Sequence, residues 1–165
     1  MSDTKPIMLP AMNTPPSANE FELSLFGPGV GECVVLHLGD GTWVVVDSCF
    51  TAGRDGPVAA EYLEKLGVDL SKGVKLVVAT HWHDDHIEGL AALLRQCASA
   101  KFACSGALRC QEFLALVAGH QYTKLVEHSS GVSEFAESLA VLDQRVHGSR
   151  RSGPDFWAGE GGCSA

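Results

Sequence analysis

The chain has 165 residues, of which 45% are hydrophobic and 19% are charged, a composition that is typical of a globular protein and not of a disordered one. This length is enough for one domain with a hydrophobic core, and no apolar run approaches the length of a membrane span. The formal net charge of −8 argues against a general nucleic-acid binder. It does not exclude a phosphodiester substrate, because bound metal ions supply local positive charge.

Residues 1–19 contain four prolines among serines, threonines and asparagines, and such a segment cannot bury enough apolar surface to offset its ordering entropy. We predict a flexible leader. It lacks the basic region and apolar block of a signal peptide, which favours a cytoplasmic location. The cysteines agree with that compartment, because they form no CxxC pair and show no metal-ligand spacing. We expect buried thiols rather than disulfides at Cys33, Cys49, Cys97, Cys104, Cys110 and Cys163.

Three strands are predicted next. Residues 21–26 alternate between apolar and polar types, as a half-buried strand does. Residues 33–38 form the second strand, and Gly39-Asp40-Gly41 turns it back into the third, at 42–47. A Gly-Asp-Gly sequence between β-branched runs is a strong hairpin signal. Asp47 ends the third strand, where a turn or cap aspartate is common.

The remaining pattern alternates helices and strands, which predicts an α/β fold. A helix runs from Pro57 to Gly67, and the apolar run at 74–79 is typical of a buried strand, so the two complete a βαβ unit. Further elements are a helix over 87–97, a short strand over 101–104, and helices over 108–119 and 132–142. From residue 148 the Gly/Ser/Arg composition predicts a disordered tail, 148–165.

Between the strand at 74–79 and the following helix lies His81-Trp82-His83-Asp84-Asp85-His86. Imidazole and carboxylate are ligands that Zn²⁺, Fe and Mn accept. In an extended segment, side chains two residues apart point to the same side, so His81, His83 and Asp85 can face one point. His86 can then reach a second point nearby. The alternative is a solvated polar loop or a His-rich tract that binds metal loosely. The position at the carboxyl end of a buried strand favours a site.

His-x-His-x-Asp-His after a hydrophobic strand resembles the signature of the metallo-β-lactamase superfamily. The following Ile87-Glu88-Gly89-Leu90 is similar to that family's continuation, in which a glycine opens the next helix. Upstream, the Gly39-Asp40-Gly41 turn and the strand ending at Asp47 resemble its N-terminal hairpin. The resemblance covers residues 20–145, and the first half is most similar to the hydrolase domain of bacterial DNA-uptake competence proteins. It implies a four-layer αββα sandwich made of two similar halves.

The resemblance implies roles for five residues. His81 and His83 would hold a first metal ion, and Asp85 and His86 a second. Asp85 would also act in catalysis by orienting the attacking water, and Asp47 would hydrogen-bond a ligating imidazole or a metal-bound water. The imidazoles favour Zn²⁺, with up to two ions, while Fe or Mn stays open.

The family also expects a further histidine, a bridging aspartate and a last histidine on later strands. The downstream candidates are His120, His128 and His147, and none follows a clear strand pattern. We therefore predict a partial domain over residues 20–147 that supplies only the first half of the sandwich.

Three functional hypotheses remain open. The first is a metal-dependent hydrolase that uses a metal-activated water on a small-molecule or phosphodiester substrate. The second is a truncated, non-catalytic half-domain that binds metal or depends on a partner. The third is a remnant without a stable fold. We expect no membrane association, no general nucleic-acid binding, and self-association through an apolar sheet face.

Overall fold

A computed structural model describes residues 14–27, 31–50, 56–106, 115 and 130–148. These residues form a sheet with helices, so the predicted α/β fold is confirmed. The strands are β1 (Glu22–Phe26), β2 (Cys33–His37), β3 (Trp43–Val46), β4 (Val74–Ala79) and β5 (Lys101–Cys104). The helices are α1 (Val58–Lys65), α2 (Leu70–Gly73), α3 (Asp84–Ile87), α4 (Leu90–Gln96) and α5 (Ser130–Gly148).

The sheet has the strand order β1-β2-β3-β4-β5, with β1 to β3 antiparallel and β3 to β5 parallel. The predicted hairpin turn joins β2 to β3, and Gly39, Asp40 and Gly41 all have positive φ, which glycine adopts at low cost. The predicted strand over 74–79 and the short strand over 101–104 are both present. Because β3, β4 and β5 are parallel, their carboxyl ends meet at one edge of the sheet, and this edge carries the histidine-rich stretch.

The hydrophobic core lies on one face of the sheet. Val35, Val45, Val77 and Phe102 point from four strands into a cluster that includes buried side chains of α1, α4 and α5. In α5 these are Val132, Phe135, Ala136, Val141 and Leu142, which include three of the four apolar residues of the predicted helix over 132–142. Within the described residues, this arrangement of one sheet and one helical layer agrees with the predicted half of a sandwich.

At β1, the opposite face of the sheet is apolar and exposed in the described part of the chain. Leu23 and Leu25 of β1 are 68% and 65% exposed, and Phe21 just before them is 79% exposed. The predicted half-buried strand is present, with Leu23 and Leu25 facing outward and Glu22 and Ser24 on the partly buried side. Its polar residues lie toward α1, where Tyr62 donates a hydrogen bond to Glu22 and Ser24 donates one to Tyr62 Oη at 3.2 Å.

The helix predicted over 87–97 is divided in two. The short α3 ends at Ile87, and α4 begins at Leu90 after Gly89, whose φ of 80° interrupts the helical backbone. The glycine before α4 agrees with the family's expected continuation. The helix predicted over 108–119 and the tail predicted after residue 148 lie outside the described residues, apart from Ala115 and Gly148.

Two further expectations concern cysteines and membranes. Cys33, Cys49, Cys97 and Cys104 are buried, as predicted, and Cys110 and Cys163 lie outside the described residues. No helix in the described part of the chain is both long and apolar enough to cross a membrane.

Candidate metal centre

The histidine-rich stretch leaves the carboxyl end of β4 as a loop. His81 to His83 precede α3, whose single turn begins at Asp84, so Asp85 and His86 lie on a short helix rather than on an extended segment. Two backbone hydrogen bonds fix this turn to the neighbouring strands: the amide of Glu32 donates to the Asp85 carbonyl at 2.8 Å, and the amide of Ser48 donates to the His86 carbonyl at 2.7 Å. The start of β2 and the end of β3 thus hold the loop in place.

Two groups of side chains can hold a metal ion. His81, His83 and Asp85 form one group, and Asp47, His81 and His86 form the other, with the ligand atoms of each group within 4.8 Å of one another. His81 belongs to both, and its ring centroid lies 3.7 Å from that of His86 and 5.1 Å from that of His83. Imidazole and carboxylate donors at this spacing suit a borderline-soft divalent ion such as Zn²⁺.

Asp47 is the most connected carboxylate of the site. It is only 5% exposed, and it accepts three hydrogen bonds: from the Thr80 amide at 2.7 Å, from Thr80 Oγ1 at 2.5 Å and from His86 Nδ1 at 3.0 Å. A carboxylate has about four lone-pair sites, so Asp47 has little capacity left for a metal. Its contacts favour the predicted orienting role over direct ligation.

Thr80 is a functional candidate that the sequence did not indicate. Its hydroxyl donates to Asp47, so it is left to accept a hydrogen bond from His81 Nδ1 at 2.9 Å. His86 donates its own Nδ1–H to Asp47. Both imidazoles then carry their proton on Nδ1 and present a free Nε2 lone pair, the form in which histidine binds metal. A threonine beside a histidine has no distinctive spacing, so only the contact with Asp47 reveals it.

The nearby cysteines do not extend the donor set. Burial raises the pKa of the Cys33 and Cys49 thiols, and the carboxylates of Glu88 and Glu32 raise that of Cys49 further. Both side chains are therefore protonated near neutral pH, whereas metals bind the thiolate form.

A cleft of about 260 Å³ opens beside the metal loop. Asp85 and His86 form one wall, and residues from β1 and the segment before β2 form the other: Leu25, Phe26, Gly27, Gly31 and Glu32. The site is therefore reachable from the side of the first two strands.

The grouping of ligands differs from the pairs expected in sequence. Asp85 lies with His81 and His83, while His86 lies with His81 and Asp47. The assignment of these residues to two separate ions stays a prediction. His120 and His128 lie outside the described residues. His147 falls in the last turn of α5, and its side chain is not described.

A family match and one solved structure share sequence with this part of the chain. The family description "Metallo-beta-lactamase superfamily" matches residues 26–109, about half of the chain. Among solved structures, the crystal structure of metallo-beta-lactamase SMB-1 bound to 2-mercaptoethanesulfonate is similar, with 27% sequence identity over 49% of this chain and a TM-score of 0.40. The chain spans 29% of that protein's length. The curated proteins contain no match to the sequence.

The matched stretch runs from the end of β1 past β5, and so it includes Asp47, Thr80 and every residue from His81 to His86. The parallel strands, the loop after β4 and the family match therefore concern the same residues, and the chain belongs to the metallo-β-lactamase superfamily.

Proposed function

We propose that this protein is a metal-dependent hydrolase in which His81, His83 and Asp85 hold a zinc ion. The observation that carries the proposal is the convergence of these three side chains, whose ligand atoms lie within 4.8 Å of one another. Catalytic zinc usually has three protein ligands and one open position, and this group supplies three. Fe or Mn is the alternative ion, and His86 together with Asp47 would border a second one.

Hydrogen bonds around the proposed ligands support their binding to such an ion. Asp47 orients His86 directly and His81 through Thr80, which leaves both Nε2 atoms available. When bound, the ion would polarise the substrate bond and lower the pKa of a water molecule toward neutrality. Asp85 would hold the ion and would also orient that water. Its carboxylate lies at the wall of the cleft, 3.6 Å from His86 Nε2.

The substrate we propose is a small molecule or a phosphodiester that enters the cleft. The open apolar sheet face supports self-association as a further property of the protein. The buried cysteine thiols support a cytoplasmic location, because such a compartment keeps thiols reduced.

A second candidate is a metal-binding protein without turnover. Its support is that His81 is shared between both groups, so the described residues cannot complete two separate three-ligand sites. An ion with fewer ligands is held more weakly, and a poorly placed water costs rate. Turnover of phosphodiester, thioester and β-lactam substrates in the presence of Zn²⁺ distinguishes the two candidates. Activity that disappears in Asp85→Asn supports the hydrolase.

The metal itself is tested by elemental analysis of protein purified without chelators. We expect bound zinc in the wild type and none in the His81→Ala, His83→Ala double variant, because two of the three ligands are gone. His37→Asn is the matched control: His37 is buried in β2, donates a hydrogen bond from Nδ1 to the Glu20 carbonyl at 2.9 Å, and belongs to neither group. Wild-type protein without metal would contradict the proposal.

A further inference from the structure

The first turn of α5 lies directly against the metal loop. An added Cβ at Gly131 would stand 2.1 Å from the carbonyl oxygen of Trp82 and 2.8 Å from Asp84 Oδ1. The backbone of Gly131 has no positive φ, so glycine is required by space and not by conformation. Since a carbonyl oxygen is backbone, the contact at Trp82 cannot be relieved by a rotamer change.

The two contacted residues alternate with the proposed ligands. Trp82 lies between His81 and His83, and Asp84 lies between His83 and Asp85. The Trp82 ring also packs on the core and lies 4.9 Å from the ring of His83. A shift of the Trp82 carbonyl therefore changes the direction of the histidines on both sides of it.

α5 is well placed to act as a rigid support. Glu134 accepts a hydrogen bond from the amide of Ala91 at 2.8 Å, at the start of α4. At the other end, Arg145 donates to the carbonyls of Leu94, Cys97 and Ala100. Of these contacts, the one made by Glu134 lies three residues from Gly131, and it keeps the first turn of α5 against the loop, whereas Arg145 attaches the far end.

We propose that α5 sets the geometry of the metal loop, with Gly131 as the positioning residue that lets the helix lie against the Trp82 carbonyl. This rests on the proposed metal binding, and it assigns a role to an element that lies beyond the residues matched by the family, 26–109. A helix near the C-terminal end of the described residues thus supports a loop that lies within the stretch matched by the family.

The test is a titration with Zn²⁺ against a competing chelator, with Co²⁺ absorption as a second readout. We expect Gly131→Ala to lower the affinity about tenfold or more and to change the Co²⁺ spectrum, as the loss of an outer contact to a metal ligand does. Gly56→Ala is the matched control, because its Cβ would meet only the Glu61 side chain, at 3.9 Å. Alanine is the better helix former, so reduced helix propensity cannot explain a loss at position 131.

A second variant separates positioning from general stability. Arg145→Met removes the far attachment of α5, and we expect it to lower the unfolding temperature of the metal-free protein while leaving the Zn²⁺ affinity unchanged. Equal loss of affinity in both variants would show a loosened helix and overturn the role of Gly131. An unchanged affinity in Gly131→Ala would overturn it as well.

The wild type supplies a measurement that does not depend on a variant's folding. Coupling between two sites is reciprocal, so Zn²⁺ should slow amide hydrogen exchange in the first turns of α5. Unchanged exchange there, with zinc bound, contradicts the proposal while leaving the metal site intact. If the wild type binds no zinc at all, the proposed function itself fails, and the two failures are thus distinguishable.

Discussion

Asp47 connects the end of β3 with two histidines of the next strand's loop. Its φ of 60° lies in the left-handed region, which aspartate and asparagine tolerate better than most residues. Its amide donates to the Val78 carbonyl at 2.8 Å, so the turn stays attached to β4 while the carboxylate accepts from Thr80 and His86. One residue thus ends a strand and fixes the protonated nitrogen of His86.

The matching substitution is Asp47→Asn, because asparagine keeps both the size and the tolerance of positive φ. Asparagine has one acceptor oxygen, so it cannot serve both the Thr80 amide, which donates to Oδ1, and the pair Thr80 Oγ1 and His86 Nδ1, which share Oδ2. When its oxygen faces the Thr80 amide, its NH2 group faces His86, which must place its proton on Nε2 and lose its lone pair for the metal. We expect Zn²⁺ affinity to fall about 10- to 100-fold, as measured by chelator competition. Thr80→Val removes the acceptor for His81 Nδ1 and one of the three hydrogen bonds to Asp47, but it keeps the contact between Asp47 and His86, so it should give a smaller loss. Affinity equal to the wild type in both variants would mean that neither residue orients a ligand.

At this scale the sequence indicated where the chemistry lies but not how it is held. His81, His83, Asp85 and His86 stand within six residues, so spacing alone predicts that they converge. Thr80 could not be predicted, because its role depends on a hydrogen bond to a residue 33 positions away. Alternation predicted that His81, His83 and Asp85 face one point, and they do form one group, although Asp85 lies on the one-turn helix α3 and not on an extended segment.

Among the elements, α4 is held at both ends by α5. At the N-terminus of α4, Glu134 accepts a hydrogen bond from a backbone amide and interacts favourably with the partial positive charge there. At the C-terminus, Arg145 donates to backbone carbonyls that have no partner within the helix. Both side chains are partly buried, and burial lowers the pKa of Arg145 and raises the pKa of Glu134. The hydrogen bonds to the helix termini offset part of the free-energy cost of burying these charges.

Glu134 gives α5 a pH-dependent contribution to stability. Burial is the main cause of its raised pKa; Glu137 and Glu88 raise it further, while the Ala91 amide and Arg95 lower it. A raised pKa in the folded state means that the contribution is complete below the ordinary glutamate pKa and is lost as the pH rises through the raised value. In Glu134→Gln the side-chain oxygen still accepts from Ala91, but nothing titrates.

We therefore expect the free energy of unfolding of the wild type, relative to Glu134→Gln, to decrease as the pH rises from the ordinary glutamate pKa through the raised one. Urea denaturation of both proteins at a series of pH values measures this difference directly, and titrations elsewhere in the chain cancel in the comparison. A difference that is constant with pH would show that the Glu134 pKa is not raised in the folded protein.

The predicted ends of strands and helices agree with the structure where glycine-containing turns mark them. Gly39-Asp40-Gly41 marked the hairpin, and Gly67, with φ of 77°, closes the turn after α1. The helix predicted over 87–97 is present as α4, but it begins only at Leu90, because the left-handed backbone at Gly89 separates α4 from α3 although the apolar periodicity continues across it. Apolar periodicity predicts which side of a segment is buried. It does not predict a break in the helix when the same side stays buried on both sides of that break.

At the scale of the whole molecule, helices cover one face of the sheet, and in the described part of the chain the other face is exposed at β1. Strand alternation predicts that one side of β1 is buried, but it cannot say which layer covers that side. Here the polar side of β1 faces α1, where Glu22, Ser24 and Tyr62 are hydrogen-bonded, and the apolar side is open. The same open face includes the half-buried Val34 and Leu36 of β2. β1 is also an edge strand, whose unpaired backbone groups can join another strand.

An apolar face bordered by an open edge drives association, so we expect the protein to be larger than its monomer mass of 17.5 kDa in light scattering. Leu23→Lys with Leu25→Lys places two charges at the centre of the β1 face and should shift the mass toward the monomer. Ser133→Lys with Ala140→Lys adds the same two charges at exposed positions of α5, so it controls for the change in net charge. If both double variants dissociate equally, general repulsion and not the sheet face governs assembly. If the wild type is already a monomer at all concentrations, the exposed leucines do not mediate self-association.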